Sequence, residues 1–368
     1  MLTFAEMTML ELKLVNFKNY EDLKVSFSPQ LNCFVGMNGM GKTNLLEAIY
    51  YLCMTKSNFG TNDRQIVRQG QSFFRIVGMF SEQTKVVAKV IPGKQKKFER
   101  NDIPYDRLME HIGEIPVVMI VPDDTQLVSE GSEERRRFID NTLSQLESGY
   151  LKMLMAYNKV LKQRNAALKG MGKSGYYDER LIQTYNEQLL APADFIYQAR
   201  KKFITEFFPV FQRFYQVISN DAEQVAGAYV SKLADNSLKD LLAESEQKDR
   251  ILMRTTVGIH RDDLKFMIGG NPLRKFGSQG QLKSFVLALK LAQFEFLKQQ
   301  KERKPLLLLD DIFDKLDRHR VAQLIGLLLE QDFGQIFITD THENRIEKIV
   351  EQYATNYRKF TVENGKIL

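Results

Sequence analysis

The stretch that most constrains this chain is Gly36-Met37-Asn38-Gly39-Met40-Gly41-Lys42-Thr43. It fits G-x-x-x-x-G-K-[ST], in which glycines let successive backbone N–H groups turn toward phosphate oxygens. A compact apolar run, Leu31 to Val35, leads into it, and Leu45, Leu46, Ile49, Leu52 and Cys53 give the run that follows one apolar helical face. Strand, anion-binding loop and helix therefore follow one another, with the positive helix end at the loop. Gly36, Asn38, Gly39, Gly41 and Asn44 read as nucleotide-binding positions, Lys42 as the group that reaches the β/γ-phosphates, and Thr43 as a hydroxyl ligand of Mg2+. Such a loop specifies a nucleoside triphosphate and leaves its use open.

Leu306-Leu307-Leu308-Leu309 is a fully apolar strand ending in Asp310-Asp311, as suits the centre of a parallel sheet with its acids beside a ligand crevice. Asp310 is expected to bind magnesium through water, and Asp311 to polarise the attacking water. The loop at Lys42 and the acids at Asp310 lie far apart in the chain yet both belong at carboxyl ends of sheet strands, so the two halves must fold together. Between them, Gly277-Ser278-Gln279-Gly280-Gln281 precedes a run with apolar positions Leu287, Leu289, Leu291 and Leu297, a second anion-binding helix start.

Along the chain, Leu10–Phe27 alternates at period two on both sides of a turn at Asn16–Asn19, and 73–80 and 85–91 alternate likewise, predicting antiparallel strands. Lys85, Lys89, Lys94, Lys96, Lys97 and Arg100 form a basic series there, read either as phosphate-backbone contacts or as a solvated sheet edge. Three- and four-residue apolar spacing over roughly 133–252 predicts helices, with a turn around Gly170–Gly175 and an interruption at Pro192. Lys159, Lys162, Arg164, Lys169 and Lys173 make the tip of this helical hairpin positive, either for DNA or for solvent. Arg136 or Arg137 could answer a phosphate or a carboxylate. His260 and Arg261 are set toward an ATP phosphate or an opposing subunit, with a structural loop as the competing reading; Asp262 and Asp263 lack the further ligands of a metal cluster.

The expected fold class is α/β, a P-loop ATPase head with mixed sheets and an inserted all-helical lobe. Its parts are 1–130 as the N-terminal half of the head, 131–254 as the lobe, and 255–368 as the C-terminal half. A net charge of +6 favours an anionic partner, nucleic acid first, without establishing one. Cys33 and Cys53 lie in apolar runs and read as core residues of a reducing compartment. No signal peptide or membrane-length apolar run is present, which gives the expectation of a cytoplasmic protein with no membrane partner.

The order of P-loop, Ser278-Gln279-Gly280-Gln281, LLLLDD and Asp317 resembles the ABC-type heads of the chromosome-maintenance and repair class. Asn16-Phe17-Lys18-Asn19-Tyr20, GMNGMGKTNLLEAIYYL, His260-Arg261-Asp262-Asp263-Leu264, GSQGQ and LLLLDDIFDKLD resemble, more closely, the bacterial RecF family over almost the whole chain. The resemblance implies an ATP-dependent DNA-binding ATPase of recombinational gap repair, associated with the nucleoid. It would dimerise around ATP and Mg2+ on double-stranded DNA near gaps and help RecR and RecO load RecA. It further implies that Ser278 and Gly280 touch the γ-phosphate of ATP held by the other subunit, that Gln281 closes the signature turn and that Asp317 supports the shared interface.

Three positions depart from that pattern: Phe59 where an arginine is usual, Lys283 near another such place, and Asp340 where transporter-type ATPases carry a histidine. His342 is two residues too late to substitute. Slow, DNA-stimulated hydrolysis is the consequence, reduced by ~10²-fold or more for a missing acid–base group. The rival reading is the head of a nuclease-associated break-processing complex, which would need a much longer coiled-coil excursion; a transporter ATPase would need that histidine and a surface for a membrane partner.

Overall fold

A computed structural model of the chain describes residues 5–219, 223–312, 318–331, 333–342 and 356–368. By their contacts these form two compact units, Met1–Asp124 with Lys290–Leu368, and Thr125–Leu289. The second reaches beyond 131–254 on both sides and takes in Ser278.

The first unit is built on two six-stranded sheets. One is ordered Lys366–Ile367, Tyr357–Glu363, Leu31–Val35, Ile336–Asp340, Leu306–Leu309, Val117–Ile120, and is parallel except for its antiparallel Lys366–Ile367 edge. Leu306–Leu309 is buried along its length between two parallel neighbours, which is why an unbroken leucine run is stable there. The other sheet is antiparallel: Tyr20–Ser26, Met9–Phe17, Phe74–Phe80, Lys85–Ile91, Gln95–Arg100 and Ile103–Pro104. Both predicted hairpins are therefore formed.

The helix Lys42–Met54 carries buried residues almost all round and shares one core with both sheets. Buried Gln335 adds a polar tie between the sheets: its Oε1 accepts the Met9 N–H at 2.7 Å, and its Nε2 donates to the carbonyls of Met9 and Ser28 at 2.8 Å. Strand register shifts just after Met9, so a side chain supplies the partner for backbone groups there.

The second unit contains the helices Ser132–Leu146, Ser148–Ser174 and Glu179–Ser219. The first hairpin helix runs through Gly170 and Gly172 and stops only at Gly175, where φ is +73°. Glu179–Ser219 passes through Pro192 and Pro209 without a break; a tertiary core of Phe203, Phe207, Phe211 and Tyr215 outweighs the local proline cost. The helical reading of 133–252 fails at Val225–Val230, a strand paired antiparallel with Asp263–Ile268, to which Asn271–Pro272 adds. Its alternating burial is the period-two signal that the neighbouring helical pattern concealed.

Arg164 is not a tip residue. It and Asp249 are each 1% exposed in their side chains and pair at 2.8 Å, with Thr255 and Asn186 taking its other donors. Arg200 is likewise buried, bonded to Asp140, the Tyr150 hydroxyl and the Ile259 carbonyl. Removing one partner leaves a buried uncompensated charge. Arg164→Met should therefore lower unfolding free energy by about 3–5 kcal/mol in chemical denaturation, whereas Lys162→Met, on the exposed face of the same helix, should change it by less than about 0.5 kcal/mol.

Candidate nucleotide-binding site

The buried strand Leu31–Val35 delivers the chain into the loop, whose glycines all take positive φ angles, two of them with no room for a Cβ. Gly36 has φ +147° and an added Cβ would stand 2.4 Å from the Val362 carbonyl oxygen; Gly41, at φ +113°, is wedged against Asn19 and the Tyr20 hydroxyl. Gly39, at φ +81°, faces open space. Lys42 Nζ donates to the carbonyls of Gly36 and Met37 at 2.6 and 2.9 Å, so its charge lies across the loop mouth.

Thr43 Oγ1 donates to Asp310 Oδ1 at 2.9 Å, joining the P-loop helix to the end of the leucine strand. Thr339, ending the neighbouring strand, donates its hydroxyl to the same oxygen at 2.8 Å and accepts the Asp311 N–H at 2.8 Å. Asp310 is 4% exposed, and burial raises its carboxyl pKa above the ordinary carboxylate range. Asp311 sits at φ +46° beside it. A hydroxyl and a carboxylate within hydrogen-bond distance at a buried strand end are the hard oxygen pair that magnesium takes, so these residues fit the ion.

The turn at Asn16–Tyr20 does more than connect strands. Asn19 Nδ2 donates to the Met40 carbonyl at 3.1 Å, the Tyr20 hydroxyl donates to the Gly41 carbonyl at 3.0 Å, and the Gly365 N–H donates to Met40 as well. Asn44 Nδ2 donates to Asn19 Oδ1 at 2.7 Å, so the side chain expected at the nucleotide also braces the loop. Asn38 is exposed on the loop's crown. Buried Glu47 holds Lys18 at 3.1 Å and the Ser57 hydroxyl. Apart from Asn44, these supports lie outside the residues expected at the site; their only sequence signal was asparagine on both sides of a tight turn.

In the second unit Ser278 and Gly280 are exposed at the start of Gln279–Lys301, and Ser278 and Gln281 cap one another. Asp317 lies outside the described residues. Phe59 is 40% exposed, Lys283 half-buried, and Asp340 fully buried in register with Val35, its Oδ1 accepting the His342 N–H at 2.9 Å.

Several charged candidates have partners within the second unit, some buried and some at its surface. His260 accepts the Tyr157 hydroxyl at Nδ1 (2.8 Å) and donates from Nε2 to the Thr255 carbonyl (3.2 Å); burial lowers its pKa to about 4, so it is neutral and structural. Asp262 takes the Tyr229 hydroxyl, Arg136 donates to Ser132 and the Asp262 carbonyl, and Arg137 pairs with Glu134 at 2.9 Å. Among the described residues no group of His, Cys, Asp and Glu is arranged to hold a metal by itself. The basic series is mostly paired with neighbouring acids: Lys85 with Asp102, Lys89 and Lys97 with Glu99, Lys96 with Asp63, Arg100 with Glu114.

The family model described as the RecF/RecN/SMC N terminal domain matches residues 8–367. The DNA replication and repair protein RecF of Bacteroides thetaiotaomicron is 43% identical over 365 residues, 98% of each chain, and that of Flavobacterium johnsoniae 45% over 355 residues, 96% of this chain and 99% of its own. The chain belongs to the RecF family. A solved structure of the recombination mediator protein RecF with ATPrS in the RecFOR pathway superposes at TM-score 0.90, with 27% identity, covering 100% of this chain and 99% of that one. The Smc head domain from Pyrococcus furiosus, at TM-score 0.56 and 15% identity, shares the fold. The chain is thus a RecF/SMC-type ATP-binding head, of the ATPase class. Among the described residues no helix is long and apolar enough to cross a membrane.

Because Asp310 has a raised pKa when folded, the native state holds its proton more tightly than the unfolded chain does. Its contribution to stability is therefore lost as pH rises through the ordinary carboxylate pKa toward the folded one. At neutral pH its buried charge is a cost, so Asp310→Asn should raise the Tm of the nucleotide-free protein, by about 1–2 °C for each kcal/mol relieved in a chain of this size. The same variant should lose magnesium-dependent nucleotide binding, as checked by scanning fluorimetry with and without Mg-ATP.

Proposed function

We propose that this chain is an ATP-gated DNA-binding ATPase of recombinational gap repair. Two copies close around ATP on double-stranded DNA beside a single-strand gap, help RecR and RecO load RecA, and part on slow hydrolysis. The observation that carries this reading is the shared Asp310 oxygen, which draws the hydroxyls of Thr43 and Thr339 to one strand end. A full-length likeness to a RecF structure described as RecF-ATP, at TM-score 0.88 and 27% identity, supports it further.

The chain's own residues divide the work. The loop N–H groups and Lys42 Nζ, now held by carbonyls, offer positive charge to the phosphates; Thr43 and Asp310 would hold magnesium, which when bound neutralises charge between the β- and γ-phosphate oxygens. Asp311 orients the attacking water. Ser278 and Gly280, exposed on a capped helix start, present a hydroxyl and a small backbone to a nucleotide on a second copy, with Gln281 holding the turn and Asp317 supporting the joint. A ligand that touches both copies only when they meet must strengthen their association. With Asp340 buried where a histidine would assist, turnover is slow.

For the DNA surface, the paired sheet lysines are poor candidates, while Lys159, Lys162, Lys169 and Lys173 are all exposed along Ser148–Ser174. Replacing all four by alanine should weaken duplex binding regardless of sequence and flatten the log K against log salt slope by up to ~0.9 per lost contact. An unchanged slope would remove this helix from the interface.

Light scattering with and without ATP tests the joint. Lys42→Ala should lose ATP binding, Ser278→Arg should bind ATP yet stay monomeric, and Asp311→Asn should accumulate as the ATP dimer with hydrolysis down ~10²-fold or more. Unchanged dimerisation of Asp311→Asn would refute its assignment, and rapid DNA-independent turnover by the unaltered protein would sink the slow-switch reading.

A further inference from the structure

The signature segment is held by residues outside it. Ser278 N–H donates to Gln281 Oε1 at 2.6 Å and Gln281 N–H donates to Ser278 Oγ at 3.2 Å. Having accepted that bond, the Ser278 hydroxyl keeps its own proton to donate outward. Gln281 Nε2 in turn donates to Glu223 Oε1, and Glu223 Oε2 accepts the Tyr215 hydroxyl at 2.7 Å.

An ionised carboxylate only accepts, so Glu223 can face the amide nitrogen of Gln281 and not its oxygen. That choice leaves Oε1 turned to the Ser278 N–H. A flipped amide would set two donors against each other there and open the cap. Beneath this chain of bonds Phe285, in the first turns of Gln279–Lys301, lies 4.7 Å from Phe211, 4.8 Å from Phe266 and 5.8 Å from Tyr215, ring centroid to centroid. The helix start is thus seated on the end of Glu179–Ser219 by apolar contact and oriented by one acid.

We propose that Glu223 is the positioning residue of the signature segment: it fixes the Gln281 amide, and through it the Ser278 backbone and hydroxyl, in the arrangement that meets ATP held by a second copy of this chain. The proposal rests on the reading that the signature acts across a dimer. Because Tyr215 belongs to the long helix Glu179–Ser219, the same bonds tie the signature to the lobe hairpin.

The test uses the full chain. Glu223→Ala should weaken ATP-dependent dimerisation about tenfold, as expected for loss of a charge-assisted hydrogen bond, with the affinity of the dilute monomer for a fluorescent ATP analogue unchanged. Glu223→Gln keeps an acceptor for Gln281 Nε2 and should restore most of the dimerisation. If Glu223→Ala dimerises like the unaltered protein, or if both variants lose dimerisation and monomer nucleotide affinity together, Glu223 is not a positioning residue. Ser278→Arg separates the two ideas: if it dimerises normally with ATP, the cross-dimer reading fails and the role of Glu223 falls with it, whereas a monomeric Ser278→Arg beside an unimpaired Glu223→Ala overturns the role of Glu223 alone.

Discussion

The structure depends on one carboxylate oxygen that takes two hydroxyls. Asp310 Oδ1 receives Thr43 from the P-loop helix and Thr339 from the adjacent strand, and so joins the first and last parts of the chain at one strand end. Burial makes that oxygen costly to ionise. A hard cation placed against it would repay the desolvation, and for this reason the least comfortable charge of the sheet is also the one suited to magnesium. Stability and the proposed magnesium role pull in opposite directions at this residue, as is common where a site is held ready for a ligand.

The surrounding architecture serves to keep that corner rigid. Gln335 ties the two sheets, the turn at Asn19 and Tyr20 props the loop carbonyls, and the Val362 carbonyl leaves room for nothing larger than glycine at Gly36. The loop is thus shaped from three directions before any phosphate arrives, which lowers the ordering cost of binding. In the second unit, where Arg164 and Arg200 are buried with their acids, charge has a different use: it fixes how helices pack rather than what they bind.

Local pattern made the nucleotide loop, the leucine strand and both hairpins legible, because period and residue type there coincide with burial. It misread Val225–Val230 because a six-residue strand between helices carries too little alternation to stand out, and its partner lies more than thirty residues on. It misread Arg164, and left His260 open between a phosphate and a structural loop, because a charged residue on a helical or loop stretch looks the same whether its partner is a phosphate, water or a buried side chain.

From its sequence alone the chain was committed to a nucleotide loop, an acid-tipped central strand and a capped Ser278-to-Gln281 turn, since each of these is a local arrangement of backbone and neighbouring side chains. Only the tertiary structure decided which charges are spent inside. It paired the sheet lysines with Glu99, Asp63 and Asp102, set Asn44 against Asn19, and set Glu223 behind Gln281. Those outcomes depend on groups brought together from distant positions, and a hydrogen bond acts over about 3 Å of space whatever the separation along the chain.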